Sequence, residues 1–161
     1  MKLGARPRCA IRMMWEISHL GGEERPVSLS AVSKRCHIPR NSLAPLALAL
    51  RNRGLLEGVR GSRGGYRLGR PISQIGIGQI LEASTGPLNI VDCVENPETC
   101  ISSDCCECRR TYAFLNRRIK EVLDNVTLGQ IRDPAWLWSK GTGCEATIEP
   151  IPAGASSART R

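Results

Sequence analysis

VSLSAVSKRCHIPRNSLAPLALALRNRGLLEGVRGSRGGYRL, residues 27–68, decides the fold. From Val27 to Arg35 a short helix is expected, with Ser28 or Ser30 as its N-cap and Ala31 and Val32 turned inward. Cys36-His37-Ile38 then make a turn. Beyond it Leu43, Leu46, Ala47 and Leu50 form the apolar stripe of a helix that runs to about Arg53 and is stopped by Gly54. Two short helices joined by a tight turn are a helix-turn-helix, whose second member lies in the major groove of DNA. Pro45 would remove a hydrogen bond from a helix interior. The regular part of this helix is therefore expected to start near Ser42, which puts Pro45 in the first turn, or to bend at Pro45. The stretch closes with LLEGVRGSRGGYRL (55–68), two short strands around the turn Gly61-Ser62-Arg63-Gly64-Gly65. A basic hairpin placed directly after a recognition helix is a wing. Its glycines lack the GxxxxGK[ST] pattern and do not lead from a strand into a helix, so a nucleotide-phosphate cradle is not read here.

The same stretch nominates the DNA contacts. Arg40, Asn41 and Ser42 stand at the N-terminal edge of the recognition helix. Arg60, Arg63 and Arg67 can reach phosphates from the wing, and Arg63 at its tip can enter the minor groove. Arg51 and Arg53 read as surface charge. The formal net charge of +8 is unevenly spread: residues 1–70 hold fourteen Lys and Arg against four Asp and Glu, and residues 71–161 hold nine against eleven. A basic excess confined to one half favours a polyanion partner for that half. One Phe, two Tyr and three Trp are too few for a platform that stacks single-stranded bases, so the partner is duplex DNA.

Upstream, residues 8–21 form a helix with Ala10, Met13, Met14, Ile17 and Leu20 on one face, ended by Gly21-Gly22. Arg12, Glu16 and His19 interrupt any signal-peptide core, no apolar run is long enough to span a bilayer, and the protein is expected in the cytoplasm. Downstream, residues 76–84 suggest a short helix with Ile77, Ile80 and Leu81 inward, broken by Gly86-Pro87. Residues 109–125 look like the longest helix. Tyr112, Leu115, Ile119, Val122 and Leu123 recur along it at helical spacing, and so regular a stripe points to packing against a second subunit, with packing on the chain's own N-terminal half as the alternative. Thr127 caps a last short helix with Leu128 and Ile131, Trp136 and Trp138 are expected to dock on the dimer, and disorder is expected from Lys140 onward.

Between these helices lies DCVENPETCISSDCCECRR, residues 92–110, with five of the eight cysteines and five carboxylates. It has almost nothing to bury except sulfur, so it takes a fixed shape from a metal, from disulfides, or not at all. Cytosolic thiols stay reduced, which favours a metal. The spacing Cys93-x6-Cys100-x5-Cys106 is neither the CxxC pair of a zinc ribbon nor a CxxC redox motif. Wide spacings suit an iron–sulfur cluster, yet zinc and unmetallated thiols both stay open on spacing alone. Cys105, Cys106 and Cys108 lie too close together for all three to bind one cluster easily. Cys36 reads as packing and Cys144 as a bystander.

VSLSAVSKRCHIPRNSL, GLLEGVRGSRGGYRLGRP, IGIGQILEASTGPL, the cysteine loop and LNRRIKEVLDNVTLGQI together resemble the iron–sulfur winged-helix regulators typified by IscR and NsrR, over roughly residues 1–131. The resemblance implies a cluster, [2Fe–2S] or [4Fe–4S], held by Cys93, Cys100 and Cys106, the last aligned through Leu115-Asn116. Some relatives place a histidine ligand three residues after the third cysteine, where this chain has Arg109. Others take an acidic ligand from the first helix of the partner subunit, where this chain has Arg8 followed by Cys9. Cys108 and Cys9 are therefore the candidate fourth ligands, with Asp104, Glu107 or a small molecule as alternatives.

The expected fold is mainly α with a small β-hairpin wing. Its parts are a winged helix-turn-helix domain (1–72), a connecting helix and linker (73–91), a cysteine cluster-binding loop (92–108), a dimerisation helix with a short C-terminal helix (109–139) and a tail (140–161). The expected function is that of a homodimeric regulator of transcription, not an enzyme. It binds two half-sites in promoter DNA and senses iron–sulfur status, redox state or nitric oxide. A zinc-stabilised or thiol–disulfide regulator is the alternative.

Overall fold

The computed structural model describes residues 3–101 and 106–139. Helix α1 (Ala5–His19) buries Ala10, Met13, Met14 and Ile17, the face its periodicity predicts. It starts three residues earlier than expected and stops at the glycine pair, where Gly21 takes φ +83° and the Gly22 N–H closes on the Ile17 carbonyl at 2.9 Å. Helix α2 (Leu29–Cys36) is capped by the Ser28 hydroxyl, which accepts from the Ala31 N–H at 3.2 Å. His37 leaves it in the left-handed region (φ 53°), and the Ser33 hydroxyl donates to the Ile38 carbonyl at 2.7 Å across the turn.

Helix α3 (Arg40–Asn52) corrects one expectation: it starts at Arg40, not near Ser42, and Pro45 lies inside it. Pro39 presets the entry, and burial of Leu43, Leu46, Ala47 and Leu50 keeps the helix continuous through the proline. The bond given up is the one to the Asn41 carbonyl, on an exposed residue where water can replace it.

Strands β1 (Leu56–Val59) and β2 (Gly65–Leu68) pair antiparallel, with Leu56 opposite Leu68 and Glu57 opposite Arg67. Tyr66 extends the pairing to Val27 through two 2.8 Å backbone bonds, which tie the wing to the entry of α2. That approach explains the second glycine of GGYRL, because a Cβ on Gly65 would sit 2.3 Å from the Val27 carbonyl oxygen. Gly65→Ala should cost about 1–3 kcal/mol, read as a lower midpoint in urea, since backbone rather than a pliant side chain must move.

Helix α4 (Ile77–Thr85) packs on α1 and α3, so Ile75, Ile77, Ile80 and Leu81 share one core with Met13, Leu43 and Leu50. Helix α5 (Glu107–Asn125) is the longest, and its far end turns back onto α4. The Ile77 N–H donates to Val126 and the Leu128 N–H to Ile75, both at 2.8 Å. Thr127 caps α6 (Leu128–Arg132) in a reciprocal box with Gln130, and α7 (Pro134–Ser139) follows with Trp136 half-buried. The side chain of Trp138 and the expectations for residues 140–161, Cys144 included, lie outside the described residues.

Lys120 on α5 meets Glu82 on α4 at 2.8 Å. The Glu82 hydrogen bond, together with the nearby carboxylates, raises the Lys120 pKa above the ordinary lysine value of 10.5 despite partial desolvation. The stabilisation is therefore fully present below pH 10.5 and is lost as pH rises through the folded value. Both side chains are partly exposed, so the pair is worth only about 0.5 kcal/mol. Lys120→Met should lower the melting temperature slightly at pH 7, and that gap should close above the folded pKa.

Candidate DNA interface and cysteine loop

Arg40, Asn41 and Ser42 are all exposed in the first turn of α3. A helix N-terminus also offers backbone donors to phosphate. On the wing, Arg60 and Arg63 are exposed and form no ion pair among the described residues. Arg67 differs from them. Its guanidinium is engaged across the hairpin by Glu57, at 2.7 Å through Nε, so part of its charge is already offset. Arg60→Ala and Arg63→Ala should each weaken binding to any duplex sequence and lower the slope of log K against log salt by about 1. Arg67→Ala should change it less, as fluorescence anisotropy across a salt series would show.

The cysteine loop is built from two 3-10 turns and the start of α5. Cys93 lies in the turn Asp92–Val94, Cys100 closes the turn Pro97–Thr99, and Cys106 is the N-cap of α5. All three are free thiols and half-buried. Residues 102–105, with Asp104 and Cys105, lie outside the described residues. Two side chains of α5 hold the loop in place. Asn116 is 8% exposed; its Oδ1 accepts from the Ile90 N–H and its Nδ2 donates to Asn89 Oδ1, both at 3.0 Å. Asn89 in turn donates to Glu95. Arg109 Nε donates to the Cys93 carbonyl at 2.9 Å.

Sequence reading missed Asn116 and the bond from Arg109 to the loop. The one available signal for Asn116 was an amide interrupting an apolar stripe. Among the described residues no three His, Cys, Asp or Glu side chains are gathered into a metal-binding group. The donor chemistry nevertheless fits an iron–sulfur centre: three thiols stand on two short turns and a helix N-cap, with the Arg109 guanidinium on the Cys93 carbonyl.

The candidate fourth ligands are spread out. Cys108 is exposed. It lies two residues into α5 from Cys106, about 200° around the helix, whereas Arg109 returns to the Cys106 side. Cys9 is half-buried on α1 against the core, and the exposed Arg8 donates to the Gly4 carbonyl. Glu107 is exposed and pairs loosely with Arg110 at 3.9 Å. Cys36 is buried and donates its S–H to the Val32 carbonyl, which makes it a packing residue.

The apolar stripe of α5 divides. Leu123 and Val126 pack on the core beside α4, while Tyr112, Leu115 and Val122 remain 37%, 42% and 63% exposed. Phe114 stands on the outer face between the guanidinium groups of Arg117 and Arg118, each within 6 Å of its ring.

Among the described residues no helix is long and apolar enough to cross a membrane. A model of the Rrf2 family, described as an iron-dependent transcriptional regulator, matches residues 3–134. The regulator IscR of Serratia proteamaculans is 33% identical over 131 residues, which cover 81% of this chain and 79% of that protein. Among solved structures, CymR, the global cysteine regulator of Bacillus subtilis, superposes with a TM-score of 0.63 at 28% identity and covers 82% of this chain and 96% of its own. IscR of T. potens gives 0.62 at 26% identity and covers 88% of each chain.

Proposed function

The chain belongs to the Rrf2 family of transcriptional regulators, and on that premise we propose that it is a cytoplasmic homodimer whose promoter binding is set by an iron–sulfur cluster on Cys93, Cys100 and Cys106. The observation that carries this reading is the fastening of the cysteine loop to α5: Arg109 holds the Cys93 carbonyl, and Asn116 holds Ile90 and Asn89 at the loop's entry, Asn89 passing the tie on to Glu95. Among the described residues of the loop none joins the hydrophobic core, yet the loop is fastened to the helix that also reaches the DNA-binding half. When bound, the cluster supplies redox and ligand-exchange chemistry on which oxygen, nitric oxide or iron supply can act.

This chain's residues carry the signal onward. Ordering of Cys93 and Cys106 bears on α5 at Arg109 and Asn116. Helix α5 bears on α4 through Lys120–Glu82 and the Val126–Ile77 backbone bond, and α4 packs on α3. The consequence is a shift in the population of dimers whose recognition helices match two half-sites about 34 Å apart. Arg40, Asn41 and Ser42 read or grip the major groove, and Arg60 and Arg63 grip phosphate beside it.

Protein purified without oxygen should absorb broadly in the visible, with iron and sulfide in near-equal amounts. Holo and apo forms should differ in gel shift on one promoter at matched salt; equal affinity would sink the sensing role. Likeness to a regulator named for cysteine, CymR, favours one second reading, a thiol–disulfide switch. That protein would be colourless and would respond to peroxide. A zinc-stabilised loop would be colourless, contain zinc and ignore peroxide.

A further inference from the structure

We propose that Arg109 is the positioning residue of this centre, pinning the first cysteine to α5 and setting a cation on the same side of the helix as Cys106. The proposal rests on the cluster reading above and deepens it. The hydrogen bond from Arg109 Nε to the Cys93 carbonyl joins residues sixteen apart. Arg109 is half-buried, in the first turn of α5, three residues after Cys106 and on the same side of the helix. The other charged residues of that turn, Glu107 and Arg110, are exposed and lie against each other. Arg109 is therefore the residue of this turn that carries the loop.

A guanidinium keeps its proton and has no lone pair to offer a metal. At this position it acts by charge and by hydrogen bonding alone. It holds the carbonyl next to the Cys93 sulfur, which fixes the direction from which that thiolate approaches. It also favours the more negative state of a thiolate-bound centre, because a nearby cation offsets added charge. The fourth coordination position then falls neither to Arg109 nor to Cys108, which projects from the other side of the helix.

The test uses the full chain with Arg109→Ala and Arg109→Lys. Amide hydrogen exchange over residues 92–94 is read on apo protein, and the rate of iron loss to a ferrous chelator and the midpoint potential are read on anaerobically reconstituted protein. For Arg109→Ala the expected result is roughly ten-fold faster exchange at these amides, iron loss faster by about 10–100-fold, and a lower potential. Arg109→Lys keeps the charge and should restore much of the potential, while the lost fork leaves exchange fast. Exchange and iron loss equal to those of the unsubstituted protein in Arg109→Ala would overturn the proposal, as would a potential lowered equally by both variants. If the unsubstituted protein takes up no iron and sulfide, the cluster reading fails first and this assignment falls with it. Coloured but unaltered variants overturn the Arg109 assignment alone.

Discussion

Cys100→Ser should leave a folded protein that no longer takes up iron and sulfide, and whose promoter affinity no longer depends on oxygen. Cys100 closes the Pro97–Thr99 turn and is half-buried outside the hydrophobic core. A serine of similar volume keeps the backbone bond from the Cys100 N–H to Pro97, which is 3.1 Å long. Melting temperature should therefore barely move, since substitutions away from cores and caps fall within about 0.5 kcal/mol. Loss of one thiolate from a three-cysteine set is a different matter. Outer partners of a metal site already cost about 10–100-fold in affinity when removed, and a ligand must cost more.

Two control cysteines sharpen the comparison. Cys108→Ser should keep the colour, because that thiol faces away from Cys106. Cys36→Ser should keep the colour and lose about 1 kcal/mol of stability, because it moves a hydroxyl into the core while retaining a donor to Val32. Absorbance, iron content and thermal melts on the three variants separate ligand, bystander and packing residue. Colour retained in Cys100→Ser would remove that residue from the ligand set.

The helix-turn-helix and wing were legible because their signals are local. Ser28 caps α2, Gly21 and Gly54 take positive φ after α1 and α3, and the apolar positions fall on the faces their spacing demands. Each of these is settled within a turn or two of chain. The start of α3 was misplaced for a related reason: Pro45 was weighed as a local breaker, whereas four buried side chains of the same helix outweigh one missing backbone bond. The cysteine loop is legible only as chemistry. Its residue types announce thiolate donors, but its shape has no period. Its ties to α5 span 16, 26 and 27 residues, and nothing local predicts which side chains make them. Gly78 is a similar case. A Cβ there would fall 2.2 Å from the Asp124 carboxylate, a contact fixed by how α4 meets α5 and invisible in either segment alone.

Leu115→Glu combined with Val122→Glu should convert the protein to a monomer and cut its affinity for a two-half-site promoter by roughly 10²–10⁴-fold, leaving single half-site affinity unchanged. The two residues lie seven apart on one face of α5, with Tyr112 one turn before Leu115, and all three are exposed in the single chain. The chain's own fold does not depend on them, since Leu123, Val126 and Leu128 hold the end of α5 and the start of α6 to the core. The melting temperature of the variant monomer should therefore reflect only the lost association. In a symmetric helix pair each substitution is counted twice, so four unpaired carboxylates would enter an apolar seam. That costs several kcal/mol even if the seam partly opens to water. The two linked binding events then become independent, and the second no longer benefits from the high effective concentration that tethering provides. Light scattering coupled to size exclusion reads the mass, and anisotropy on half-site and full-site duplexes reads the affinities. A variant that stays dimeric would place the subunit interface elsewhere, with Phe114 and its flanking Arg117 and Arg118 as the next face of α5 to test. A monomer that kept full promoter affinity would instead show that the two recognition helices bind without being joined, and the coupling from loop to DNA would have to run within one chain.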